Sequence, residues 1–107
     1  MIHACFQEQQ QSLVGVSICG HAAYADAGQD IVCAAVSALV INFVNSLDEL
    51  TDDHYQIDVN QENAEIDVVF TEELSHDGSL LLRSLILGLT SVEEEHEQYL
   101  DVIFKEV

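Results

Sequence analysis

From Asp30 to Leu50 the sequence carries Ile31, Val32, Ala35, Val36, Leu39, Val40, Ile41, Phe43, Val44 and Leu47. Wound into a helix, these residues fall on nearly every side, and a helix apolar all round needs cover all round. The apolar run from Ile31 to Val44 is interrupted by Ser37 and Asn42, and it reads as too short and too broken to cross a bilayer. Cover must therefore come from elsewhere in a chain of 107 residues, which suffices for a single domain over residues 1–107 with one modest core.

The cover is written as alternation. Met1 to Gln7 places Ile2, Ala4 and Phe6 on one side of a strand, and Ser12 to Cys19 resumes the pattern after a polar turn at Glu8 to Gln11. Gly20 to Gln29 is small and irregular. Asp30 has the chemistry of a helix N-cap for the long helix ending near Leu50. His54 to Val59 and Ala64 to Phe70 alternate again around a turn at Asn60 to Asn63. His76-Asp77-Gly78-Ser79 opens a second helix, apolar from Leu80 to Leu89, and Tyr99 to Val107 closes with a fifth strand. The order β-β-α-β-β-α-β predicts a two-layer α+β domain: a mixed, mostly antiparallel five-stranded sheet with two helices on it. The first helix then keeps a spare apolar face, which a symmetric homodimer or the second helix would cover.

Lys and Arg together number 2 against 20 Asp and Glu, a formal net charge of -18. Such a surface repels nucleic-acid phosphates and anionic membrane, and it attracts a basic partner. Glu93, Glu94, Glu95 and Glu97 crowd the end of the second helix, where the helix dipole disfavours negative charge. No basic segment leads into an apolar stretch as in a signal peptide, so a cytoplasmic location is expected. Cys5, Cys19 and Cys33 are an odd number without a CxxC pair, which points to free thiols.

With Asp30 as N-cap, Cys33 takes the third helical position, where unpaired N–H groups and the dipole lower a thiol pKa. His21 lies twelve positions earlier, past the second strand, and the intervening loop is long enough to fold back onto Cys33. A Cys–His pair is the working unit of thiol nucleophiles. A Cys on an apolar helix is also a common small core residue, and both readings stand at this point.

Gly20-His21-Ala22, Tyr24, Gly28 and Asp30-Ile31-Val32-Cys33-Ala34-Ala35 with Ser37 resemble the signature of the ribosomal-processing cysteine proteases, the Prp family. The resemblance is concentrated in GHAAYADAGQDIVCAAVSAL, and the element order extends it more weakly over the chain. It implies a cysteine endopeptidase with Cys33 as nucleophile and His21 as general base and acid. It further implies removal of the N-terminal extension of large-subunit ribosomal protein twenty-seven, cut after a short hydrophobic stretch ending in aromatic residues, by a homodimer that needs no cofactor or metal.

Supporting roles follow from residue type. Asp30 either caps the helix or orients His21, and capping is the commoner use. Ser37, one turn after Cys33, either reaches the site or bonds back to the Cys33 carbonyl. Gly20, Ala22, Tyr24 and Gly28 belong to a loop with room for a peptide, and Tyr24 has the chemistry to meet an aromatic side chain of the substrate. The backbone N–H of Cys33 or of a neighbour is the natural oxyanion donor at a helix start. Two rival readings use other features. His3-x-Cys5 and Cys19-x-His21 bring N and S ligands to the far ends of a hairpin, a pattern for zinc. A non-enzymatic acidic module binding a basic ribosomal protein explains the charge but not the placement of Cys33.

Overall fold

The computed structural model describes residues 1–20, 27–60, 62 and 65–107, with residues 27–29 described by their backbone alone. Seven elements follow one another: β1 (Ile2–Gln9), β2 (Ser12–Cys19), α1 (Ala27–Leu50), β3 (Tyr55–Asn60), β4 (Glu65–Phe70), α2 (His76–Glu95) and β5 (Leu100–Glu106). The expected order is borne out. The strands form one sheet in the order β3-β4-β2-β1-β5. β1 runs antiparallel to β2, β2 to β4 and β3 to β4, while β1 and β5 are parallel.

The β1–β2 hairpin turns on Gln10 and Gln11, whose φ values of 53° and 69° put both in the left-handed region. Two such residues in succession give the hairpin loop whose twist matches that of the flanking strands. A bulge follows Gln7, and the Gln7 side-chain amide donates to Ser17 Oγ at 2.7 Å across the pair.

Alternation sorts the sheet into two faces. Ile2, Ala4 and Phe6 of β1, Val16 and Ile18 of β2, Val68 and Phe70 of β4 and Leu100 of β5 are buried beneath the helices. α1 answers with Val32, Cys33, Val36, Val40, Phe43 and Leu47, and α2 with Leu82, Leu85 and Leu89. Phe43 meets Phe70 edge to face with centroids 6.1 Å apart, an arrangement suited to aromatic quadrupoles. The helices meet where Gly88 lets the Leu39 side chain come close.

Two expectations about α1 need correction. The stretch Asp30–Leu50 is, by length and composition alone, long and apolar enough to span a membrane despite Ser37 and Asn42. In the fold one stripe of it forms the core over the sheet. Secondly, the helix begins at Ala27 rather than at Asp30, one turn earlier than the cap chemistry of Asp30 predicts. Asp30 is thus a first-turn acid, favourably placed on the dipole, and not the N-cap. Ile31 and Ile41 stay exposed, so α2 does not cover the spare face of α1.

Candidate active site

A cleft of about 280 Å³ opens at the end of the sheet where β1 and β4 begin and β2 and β3 finish. Ile2, Ile18 and Ile66 of the sheet, Val59 of β3 and Val36 of α1 make its apolar lining. Cys19, Ser37, Asn60 and Glu65 add polar groups, and Cys33 of α1 borders the same space. Cys33 is only 8 % exposed, so the cleft is the way to its sulfur.

The helix start moves Cys33 from the first turn into the second. Its N–H therefore belongs to the interior hydrogen-bond ladder and is not an orphan donor. This removes the Cys33 N–H as oxyanion donor and also the dipole argument for a lowered thiol pKa. The thiol is in fact pushed up, first by burial and then by the negative charge of Asp30, while the ammonium at Met1 pulls weakly the other way. Cys19 is pushed up as well, by burial and then by the charges of Glu65 and Asp67 and by Cys5. Among the described residues, the surroundings thus push up the thiol of Cys33 on the helix side of the sheet and that of Cys19 on the face it shares with His3.

Gly20 closes β2 with a φ of +92°, and a Cβ there would run into the Met1 carbonyl. Glycine is required on both counts. Gly28 falls in the first turn of α1 and not in a loop. Ser37 lines the cleft with Cys33, as its helical spacing predicts. His21, Ala22 and Tyr24 lie outside the described residues.

The rival zinc ligands are placed differently. His3 and Cys5 alternate onto the face away from the helices, with Cys19 opposite His3 and Ser17 opposite Cys5. His3 Nδ1 stands 3.7 Å from an Asp101 carboxylate oxygen. Among the described residues, no group of three or more His, Cys, Asp and Glu side chains converges. The acidic run at the end of α2 also has a local use: Glu93 Oε2 accepts the Val102 N–H at 2.6 Å.

Val59, Asn60, Glu65 and Ile66 were not singled out by sequence, where they read as ordinary strand and turn residues. Only the pairing of β3 with β4 brings them beside α1, and no local pattern announces it.

A family model described as cysteine protease Prp matches residues 1–101. The ribosomal processing cysteine protease Prp of Bacillus subtilis (strain 168) is 28% identical over 107 residues, covering 95% of this chain and 96% of the relative. The protein of the same name from Staphylococcus aureus (strain NCTC 8325 / PS 47) is 27% identical over 86 residues, 80% of this chain and 81% of the relative. Among solved structures, the essential ribosomal processing protease Prp from S. aureus in complex with a substrate peptide superposes with a TM-score of 0.92 at 24% identity, covering 98% of this chain and 100% of that one. SMU.848 from Streptococcus mutans gives 0.86 at 28% identity, covering 100% and 96%.

Proposed function

The chain belongs to the Prp family of cysteine proteases, and from that membership we propose that Cys33 is its nucleophile, His21 its general base and acid, and the N-terminal extension of large-subunit ribosomal protein twenty-seven its substrate. It is a peptide hydrolase of the ribosomal-processing class. The observation that carries the reading is the placement of Cys33 on an apolar cleft sized for a large side chain.

The chemistry is acyl transfer starting from a neutral thiol. Because its surroundings raise the pKa of Cys33, the sulfur needs a base at the moment of attack. His21 takes the Sγ proton as sulfur adds to the scissile carbonyl. The tetrahedral adduct then collapses, the C–N bond breaks, and His21 returns the proton to the departing amine. Water, deprotonated by His21, attacks the thioester and frees the acid and the thiol. The cleft beside Cys33 receives the apolar residue before the cut, and Ser37 sits where it can hydrogen-bond substrate. Ala22 and Tyr24 belong to the substrate loop.

The charge of -18 supports a lysine-rich substrate, whose encounter it would accelerate. The exposed Ile31 and Ile41 support a homodimer, and a cytoplasmic location is part of the same proposal.

Incubation with the extended ribosomal protein, followed by mass spectrometry, tests the reading. A shortened product is expected from the unaltered protein and none from Cys33→Ala or His21→Ala with native circular dichroism. Cleavage that persists in Cys33→Ala overturns the nucleophile.

A further inference from the structure

Two strands of the sheet have a neighbour on one side only, β5 beside β1 and β3 beside β4, and the fold treats these edges differently. An unpaired edge is a template for another chain, and proteins usually guard it. The outer edge of β5 is guarded over its first half. The N–H of Leu100 goes to the His96 carbonyl at 3.2 Å, and the N–H of Val102 goes to the Glu93 carboxylate.

The orientation of β3 follows from one hydrogen bond. Thr71 N–H donates to the His54 carbonyl at 3.1 Å, and these residues stand opposite each other in the register that continues as Tyr55↔Phe70 and Gln56↔Val69. Bonded and non-bonded pairs alternate along an antiparallel ladder. Gln56, Asp58 and Asn60 therefore turn their N–H and C=O groups toward β4, while Tyr55, Ile57 and Val59 turn theirs outward. Ile57 is 47% exposed and Val59 54% exposed, and no described side chain does for them what Glu93 does for Val102. β3 has neither Pro nor Lys to discourage pairing. Val59 also lines the cleft that Cys33 borders, so the open edge and the cleft are continuous.

We propose that the edge of β3 receives the substrate polypeptide as an added strand, with the backbone groups of Ile57 and Val59 as its partners, and so leads the scissile bond to Cys33. This rests on the peptidase reading above and adds the way the substrate chain is held. Such pairing gives affinity through the main chain and leaves side-chain choice to the pockets. The apolar side chains of Ile57 and Val59 would flank every second residue of the added strand.

Proline on β3 tests it, because a residue whose N–H points away from the sheet can become Pro without losing a ladder bond. Ile57→Pro removes one outward donor at a residue outside the cleft lining, and Ile57→Ala controls for the lost side chain. The probe is a fluorescein-labelled peptide spanning the extension and cleavage junction of the ribosomal protein. Its Kd for Cys33→Ala protein and its KM in the active protein are both read. Ile57→Pro should weaken both by roughly three- to tenfold relative to Ile57→Ala, the worth of one hydrogen bond, with kcat little changed. Independently, N-methylation of alternate peptide backbone positions should weaken binding to the unaltered β3 with a period of two; this arm decides the matter if the Pro variant does not fold. Equal affinity for Ile57→Pro with a native spectrum, or N-methyl effects without that period, overturns the proposal. So does a shift from dimer to monomer in Ile57→Pro at unchanged Kd, which gives the edge to a second copy. Absence of cleavage alongside β3-dependent binding would instead overturn the peptidase reading and leave the docking edge standing.

Discussion

Glu93 Oε2 accepts the Val102 N–H at 2.6 Å, so a carboxylate near the end of α2 holds the outermost strand. The dipole at that helix end works against the negative charge, and the charge-assisted hydrogen bond offsets it. Glu93→Ala should cost about 1.5–3 kcal/mol in urea unfolding, and Glu93→Gln, which keeps an acceptor, less. Glu94→Ala, at an exposed neighbour, should change stability by no more than about 0.5 kcal/mol. Equal effects at the two positions would contradict the lock.

Asp53 ties the end of α1 to the start of α2. Its carboxylate accepts from Ser75 N at 3.0 Å and from Ser75 Oγ at 2.8 Å, and Ser75 Oγ in turn accepts from Gly78 N at 3.0 Å as the N-cap. Thr51 Oγ1 completes the chain, donating to the Leu47 carbonyl and accepting from Asp53 N. Ser75→Ala should cost about 1–2 kcal/mol. In a double-mutant cycle with Asp53→Ala the two losses should fail to add by more than about 0.5 kcal/mol, since each removes the other's partner. Additive losses would show the groups to be independent.

Burial and Asp30 hold the folded Cys33 pKa above the ordinary thiol value of 9.0. A group raised on folding contributes stability that is fully present below its unfolded pKa and is lost as pH rises through its folded pKa. The Tm of the unaltered protein should therefore fall relative to that of Cys33→Ala as pH climbs past about 9, and hold constant relative to it below. Iodoacetamide gives a second readout. In His21→Ala burial and the charge of Asp30 still act, and alkylation of Cys33 should titrate above the ordinary thiol value. If His21 is the partner, the unaltered protein should titrate lower. Identical titrations would remove His21 from the site.

Gly20 combines a φ of +92° with a Cβ direction blocked by the Met1 carbonyl. Gly20→Ala should cost more than about 1–2 kcal/mol, the ordinary cost of a left-handed residue, because the collision adds to it. Asn, which tolerates left-handed backbone elsewhere, should do no better here. Since Ile2 lines the cleft and follows Met1, KM should rise as well, and a KM unchanged in folded Gly20→Ala would separate this turn from the site.

What the sequence made legible is what local pattern encodes. Alternation through Ile2, Ala4 and Phe6, or Ile66, Val68 and Phe70, marks a strand with one buried face before any fold is known. The start of α1 differs from the expectation because Asp30 has cap chemistry, while Ala27 to Gln29, with Gly28 among them, carries no local signal of a helix start. The expectation of a lowered Cys33 pKa fell with that boundary, since it depended on a single turn of helix. The cleft was illegible for a different reason. Val59 and Ile66 lie on different strands, Val36 on a helix, and only the closed fold brings them to one space. The roles of Glu93 and of the β3 edge likewise depend on strand order, which no short window contains.

The parallel pairing of β1 with β5 sets the timing of assembly. Ile2 N–H is held by the Tyr99 carbonyl at 2.8 Å, so a strand made early is completed by one made later. A chain emerging during translation can close its β1–β2 hairpin at once, yet the flank of β1 beside Ile2 stays bare until β5 has been synthesised. Because Ile2 is part of the cleft wall, the cleft is complete only once β5 has joined β1, and a copy cut short before β5 would carry the sulfur without the finished chamber around it.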